Sequence, residues 1–290
     1  MWNNHTLREL IVRRRSCRSY EKRTLSEVDR RKLEDFLVSD HGTPFGTTLR
    51  FSLIAAREND AASLKGLGTY GFIKNPPAFI AGAAVRGGMY LEDFGYAMER
   101  IHLYANAMGL GTCWLGGTFS KSAFADRMSR GKDETIPAVT SIGYAADSRR
   151  LFDSLVRLSA GSDRRKDPRE LFFSGDFGRP LEPGESGAYD DVLELVRLSP
   201  SASNKQPWRI VKGEDDSSYH FFLARTEKYF ERNRSLFGFE DLQRVDMGIS
   251  ICHFDLAAAE LGMSGVWKVA TPPNIKLPET VEYSATWKGD

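Results

Sequence analysis

The 290-residue chain has only three cysteines, Cys17, Cys113 and Cys252. An odd number at wide spacing gives no disulfide framework and no Cys-x-x-Cys pair for a metal or a redox couple. It fits a reducing, cytoplasmic setting. An excess of one charge is missing too. Lys and Arg number 40 and Asp and Glu 39, a formal net charge of +1, which argues against general affinity for nucleic acid or membrane surfaces. No apolar run approaches the roughly 20 residues of a membrane span. The five histidines, at 5, 41, 102, 220 and 253, show no metal-ligand spacing, and His102 and His253 read as packing or surface residues of helices. His-Glu-x-x-His, a Walker loop and Gly-x-Ser-x-Gly are all absent, so a triad hydrolase has no footing.

With 41% hydrophobic and 27% charged residues, the composition is that of an ordinary globular protein, long enough for one large domain or two modest ones. The start of the chain is Arg-rich, as transit peptides are. However, Thr6-Leu7-Arg8-Glu9 has capping-box spacing and Leu7, Leu10 and Ile11 form a stripe, which predicts a short helix with the arginines just after it.

The chain repeats itself. Asp93-Phe94-Gly95 opens an apolar helical pattern that ends at Gly109 and runs into a strand, Thr112–Leu115. Asp246-Met247-Gly248 opens another that ends at Gly262 and runs into Val266-Trp267. The offset from Asp93 to Asp246, 153 residues, also relates Leu103 to Leu256, Ala105 to Ala258, Gly109 to Gly262 and Trp114 to Trp267. In each half a helix (about 26–39 and about 187–198) leads through a loop into a strand (Leu49–Ala56 and Trp208–Val211). This is a tandem duplication of a helix–strand–strand–helix–strand unit. The expected division is a first half, 1–173, a Gly/Pro/Ser-rich connector, 174–187, and a shorter second half, 188–290.

Polar groups suited to a small ligand are densest at 199–208, Ser-Pro-Ser-Ala-Ser-Asn-Lys-Gln-Pro-Trp, a loop between a helix and a strand. The equivalent loop of the first half, 40–47, has no such motif. Conversely, Arg14-Arg15-Ser16-Cys17-Arg18 has no counterpart in the second half. Arginine forks with a serine suit a phosphate. Cys113-Trp114-Leu115-Gly116-Gly117 is a strand ending in two glycines, where a flat ligand can press on bare backbone. Arg164-Arg165-Lys166 is a second basic cluster, and alone it reads as a surface loop. Gly66-Leu67-Gly68-Thr69-Tyr70-Gly71 matches Gly-x-Gly-x-x-Gly, but it follows a polar stretch rather than a buried strand and reads as a flexible loop.

Together these stretches resemble the nitroreductase superfamily of FMN-dependent oxidoreductases. In particular they resemble the Thermotoga-type branch, in which two nitroreductase-like halves are fused. The resemblance implies an α+β fold of two tandem halves forming an internal pseudo-dimer, each with a mixed, mainly antiparallel sheet flanked by helices. It implies one FMN per chain, because the parts needed for a mirror-image site have been lost. Arg14, Arg15, Ser16 and Arg18 would hold phosphate and ribityl oxygens, and Arg164 with Arg165 or Lys166 would close over the phosphate. Pro200, Ser201, Ala202, Asn204 and Gln206 would line the flavin from the second half. Leu115, Gly116 and Gly117 would present backbone groups to it, and Thr69 and Tyr70 would meet the ring edge. Many relatives carry an acidic residue where Gly116 stands, so only a backbone role transfers there.

The implied activity is ping-pong transfer from NAD(P)H through FMN to a small, electron-poor acceptor of nitroaromatic or quinone type, with no catalytic side chain and no metal. An FMN-binding sensor or carrier is the alternative. Residues 40–48 and 225–242, the latter with Tyr229, Phe230, Arg232, Phe237 and Phe239, are candidate covers for the flavin or packing between the halves. The chain is expected to be a cytoplasmic monomer, since its dimer is internal, with weak self-association left open.

Overall fold

Thr6 caps the first helix as its spacing predicts. Its hydroxyl accepts the Glu9 N–H at 3.2 Å, and the Glu9 carboxylate accepts the Thr6 N–H at 3.0 Å. The computed structural model describes residues 5–56, 64, 67, 71–117, 119–146, 164–215, 217–229, 240–269 and 274–290. Backbone proximity divides the chain into two units. The first comprises Met1–Gly42, Thr47–Tyr90 and Ala97–Ala160, and the second Thr43–Gly46, Leu91–Tyr96 and Gly161–Asp290.

The first unit is built from α1 (Leu7–Arg13), α2 (Glu27–Leu37), β1 (Leu49–Ala55), β2 (Ala78–Val85), most of α3 (Tyr90–Ala107), β3 (Gly111–Leu115), α4 (Lys121–Arg127), β4 (Glu134–Thr135) and β5 (Val139–Gly143). Its sheet is antiparallel in the order β1-β2-β5-β3, with β4 added to β2. Strand β2, Ala-Phe-Ile-Ala-Gly-Ala-Ala-Val, is buried along all but its last residue, as a central strand covered on both faces must be.

The second unit holds α5 (Pro168–Leu171), β6 (Phe172–Ser174), α6 (Tyr189–Arg197), β7 (Trp208–Lys212), β8 (Ser218–Ala224), α7 (Leu242–Glu260), β9 (Gly265–Lys268) and β10 (Val281–Gly289). Its sheet runs β6-β7-β8-β10-β9, antiparallel except for the β6–β7 pair. The core is aromatic: Phe254 packs edge-on against Phe221, Trp267 and Trp287. From Gln243 to Phe254 nearly every α7 side chain is buried, so the helix is enclosed rather than amphipathic.

The duplication is visible in the strand order. In chain order, β1, β2, β3 and β5 of the first sheet correspond to β7, β8, β9 and β10 of the second, and both sheets place the fourth strand between the second and third. The two repeats therefore share a fourth strand, β5 or β10, that the sequence pattern does not predict, and the unmatched β4 and β6 complete the two five-stranded sheets. Helices α3 and α7 both run out at a glycine in the left-handed region, Gly109 (φ 80°) and Gly262 (φ 75°), where a side chain would be strained.

The expected boundary at 173 differs from the division at 160/161. Phe172–Ser174 lies in parallel register with Ile210–Lys212, so the end of the expected first half is an edge strand of the second sheet. The expected connector folds back on that strand, with Phe173 bridging Pro180 and Arg179 paired with Glu185. Thr43–Gly46 and Leu91–Tyr96 also join the second unit through long-range bonds. The Phe45 N–H donates to Asp93 Oδ1 at 3.0 Å, and Arg244 grips the buried Glu92 carboxylate at 2.6 and 2.7 Å. Within the same unit Gly95 and Gly248 mark a close helix crossing. A Cβ on Gly95 would collide with the Val245 carbonyl, and one on Gly248 with the Glu92 carbonyl.

Candidate functional site

In the second unit the 199–208 loop is held in an uncommon conformation. Ser203, Asn204 and Gln206 have φ of 50°, 53° and 49°, at a cost of roughly 1 kcal/mol each for residues with a Cβ. Two anchors hold that shape. Ser201 Oγ accepts the Gln206 N–H at 2.9 Å, and Asp246 Oδ1, on α7, accepts the Ala202 N–H at 2.9 Å.

The loop's amide side chains turn onto the basic segment 164–166. Asn204 Nδ2 donates to the Arg164 carbonyl at 2.8 Å, and Arg165 Nη1 donates to Asn204 Oδ1 at 3.1 Å. Gln206 Oε1 accepts the Lys166 N–H at 2.9 Å, while its Nε2 donates to the carbonyls of Arg164 and Asn204 at 3.3 and 3.2 Å. Two motifs that the sequence offered separately are thus one hydrogen-bonded assembly. Gln206 is only 3% exposed, with both ends of its amide committed. It braces the basic segment. Pro200, Ser201, Ala202 and Asn204 are half-buried, as are Arg165 and Lys166, and Arg164 is exposed.

Two further cations belong to this region and were not singled out from sequence. The Lys166 ammonium is pushed down by burial and then by the like charges of Arg209 and Lys205, with Glu170 opposing. Arg209 Nη1 donates to the carbonyls of Gln206 and Trp208 at 3.1 and 2.7 Å. Like charges gathered beside a half-buried lysine form a field that favours an anion. Lys205 and Arg209 flank the motif as ordinary basic residues, so only folding reveals their convergence. Tyr229 also lies here, its hydroxyl 3.3 Å from Ser203 Oγ.

In the first unit the Arg-rich segment is threaded along a strand edge. Ser16 pairs in parallel with Thr112 of β3 and Ser19 with Lys74, while Tyr20 pairs antiparallel with Ala145. The buried Tyr20 hydroxyl donates to the carbonyls of Cys17 and Ser141 at 2.8 and 2.9 Å, which locks the segment in place. Its arginines then serve different ends. Arg14 is 9% exposed and faces the buried Glu99 carboxylate at 4.0 Å, while Glu99 also accepts Trp114 Nε1 at 3.0 Å. Arg14 thus faces a core acid as its counter-charge. Arg15 donates to the carbonyls of Val12 and Arg14. Arg18 is half-buried, and its Nη1 is buried with no hydrogen-bond partner among the described residues.

Beyond the last β3–β5 pair, Leu115 with Val139, the chain bends at the half-buried Gly116 and Gly117. The Leu115 side chain belongs to the core, so only its backbone is available. His102 is a packing residue. It lies between Thr112 and Thr140 at 3.0 and 2.7 Å, stacks on Trp114, and is pushed down to about 4 by burial. The Cys113 thiol is buried, and burial raises it to about 11. Thr69 and Tyr70, most of the Gly-x-Gly-x-x-Gly stretch, and Phe230, Arg232, Phe237 and Phe239 lie outside the described residues.

Within the first unit a guanidinium nitrogen of Arg18 is buried with no hydrogen-bond partner among the described residues, and within the second the 164–166 segment with Lys205 and Arg209 gathers positive charge; each set suits an anionic group such as a phosphate. Among the described residues no group of His, Cys, Asp or Glu could hold a metal ion, and no helix is long and apolar enough to cross a membrane.

No curated protein matches the chain. Among solved structures, a putative nitroreductase from Thermotoga maritima is 19% identical, with 98% of this chain and 94% of that one covered at a TM-score of 0.58, which shows a shared fold. An FMN-dependent nitroreductase from Clostridium difficile (22% identity, 49% and 94% covered, TM-score 0.38) and a nitroreductase with bound FMN from Bacteroides fragilis (16%, 51% and 92%, 0.39) are also similar. The family model described as "Putative TM nitroreductase" matches residues 6–258, and the chain belongs to that nitroreductase family.

Proposed function

We propose that the chain is an FMN-dependent oxidoreductase that takes electrons from NAD(P)H and delivers them to a small, electron-poor acceptor such as a nitroaromatic or a quinone. The observation that carries this reading is the bonding of Asn204 and Gln206 to the Arg164–Lys166 segment. The reading takes both motifs as contacts of one flavin, and their hydrogen bonds join them into one positively charged wall. When bound, FMN supplies the two-electron chemistry, accepting from the nicotinamide and donating to the acceptor in alternating half-reactions.

The chain's own residues bind and orient. Arg18, with its unpartnered Nη1, holds phosphate together with Ser16 and Arg15. Arg164, Arg165 and Lys166 close over it, reinforced by Lys205 and Arg209. Ser201 and the Pro200–Ala202 backbone line the flavin, and the N–H groups of Gly116 and Gly117 serve its polar edge. No side-chain acid or base is assigned.

One FMN per chain is proposed because each part occurs once. The Arg-x-Ser-x-Arg cluster is confined to the first half and the Asn-x-Gln loop to the second, and the repeat offset maps Gly116-Gly117 onto Val269-Ala270. We further propose that the chain works as a monomer.

The test is direct. The purified protein, supplied with FMN, is expected to retain about one flavin per chain, and anaerobic mixing with NADH or NADPH should bleach it within seconds. Failure to retain FMN overturns the reading. Retention without bleaching by either donor assigns the chain to the carrier or sensor class.

A further inference from the structure

Asp246 stands in the second turn of α7, 2% exposed. One carboxyl oxygen accepts the Ala202 N–H, while the other, Oδ2, is buried with no hydrogen-bond partner among the described residues. Burial, with Asp241 adding to it, holds this carboxyl well above the usual range. A half-satisfied buried carboxyl is an expensive way to fill space in a helix, and its cost is offset only if the single bond it makes is needed. Asp93, the repeat-equivalent residue, makes the matching bond to the Phe45 N–H at 3.0 Å. The anchor therefore belongs to both repeats, but only Asp246 anchors a loop with the Ser-x-x-Asn-x-Gln motif. Ser199 Oγ and Trp208 Nε1, at the two ends of that loop, are likewise buried without partners among the described residues.

We propose that Asp246 is a positioning residue for flavin binding: by holding the Ala202 N–H it sets the left-handed path of Ser203 to Gln206, and so aims Asn204 and Gln206 at the Arg164–Lys166 segment. The flavin consequence rests on the FMN reading, while the anchoring concerns the protein alone.

The experiment compares Asp246→Ala, Asp246→Asn, Asp93→Ala and Ala202→Pro with the wild type. Ala202→Pro deletes the N–H donor from the other side, and the extended backbone of Ser201 (φ −149°, ψ 158°) tolerates a following proline. The readouts are amide hydrogen exchange over 201–206 in FMN-free protein and FMN affinity by fluorescence titration. Asp246→Ala is expected to speed exchange and weaken FMN, each by about tenfold or more. Ala202→Pro is expected to weaken FMN to a similar degree and to speed exchange at the remaining loop amides. Asp246→Asn keeps an acceptor oxygen and should stay within about threefold of wild type in both. Asp93→Ala should leave FMN affinity unchanged.

Wild-type exchange in Asp246→Ala overturns the proposal, as does faster exchange with unaltered FMN affinity. Loss of affinity in Asp93→Ala equal to that in Asp246→Ala would reduce the effect to general destabilisation and overturn it too. If Asp246→Ala does not fold, Ala202→Pro and Asp246→Asn decide alone. If the wild type binds no FMN, the function reading fails while the exchange data still judge the anchor.

Discussion

Gln206 Oε1 accepts the main-chain N–H of Lys166 at 2.9 Å, one of the bonds that tie the polar loop to the basic segment. Gln206→Leu leaves that N–H without its side-chain acceptor and removes one of the two amide donors to the Arg164 carbonyl. Flavin affinity is expected to fall about tenfold, near 1.4 kcal/mol, and folding stability by about 1–3 kcal/mol. Fluorescence titration and urea denaturation measure the two. Unchanged affinity would mean that the loop and the basic segment serve the ligand independently.

Arg14 and Arg18, four residues apart in one motif, are expected to fail differently. Arg14→Ala removes the counter-charge of the buried Glu99 carboxylate, leaving it the Trp114 hydrogen bond, and should cost roughly 3 kcal/mol of stability. Arg18→Ala removes a charged donor whose Nη1 has no hydrogen-bond partner among the described residues. It should weaken FMN by about 1.5–3 kcal/mol and leave the urea midpoint nearly unmoved. Equal stability losses in the two variants would contradict this division.

His102 makes stability depend on pH. Burial pushes its imidazole down to about 4, whereas in the unfolded chain it titrates near its ordinary value of about 6.5. Between those values the unfolded state binds more protons, so stability falls as pH drops through the window. From about pH 7 to about pH 5 the loss should approach 2 kcal/mol. His102→Gln, which still offers hydrogen bonds to Thr112 and Thr140, should flatten that slope. Parallel slopes in variant and wild type would remove His102 as the cause.

Alanine in place of a helical glycine usually stabilises by up to about 1 kcal/mol. At Gly95 and Gly248 the opposite is expected, a loss of about 1–3 kcal/mol for either variant, because the new Cβ meets a carbonyl of the crossing helix. Chemical denaturation of Gly95→Ala and Gly248→Ala checks the sign.

The elements that could be read from the chain were those with local signatures. The Thr6–Glu9 capping box, the glycines ending α3 and α7, and the apolar periods between them each depend on residues within one or two turns. What could not be read depends on partners distant in sequence. Nothing near Phe172 announces that it will pair with Ile210, and nothing near Arg14 announces Glu99. The candidate site divides the same way. The motifs at 14–18, 116–117, 164–166 and 199–208 stood out by composition, but an amide side chain serves a ligand or a backbone equally well. Asn204 and Gln206 therefore gave no warning that they would grip residues 164–166. Asp246 drew notice only as a repeat marker, because an acid at a helix start is usually solvated.

The shared strand order of the two sheets has a consequence for inheritance. In a dimer of identical chains every substitution is carried twice, so both copies of a site change together. In a fused duplicate each copy drifts alone. Gly116-Gly117 persists in one repeat while Val269-Ala270 occupies the same place in the other. The 40–48 loop still hangs from Asp93, yet has lost the motif that its twin hangs from Asp246. Fusion has turned one gene's symmetric pair into two independently editable texts written on the same scaffold.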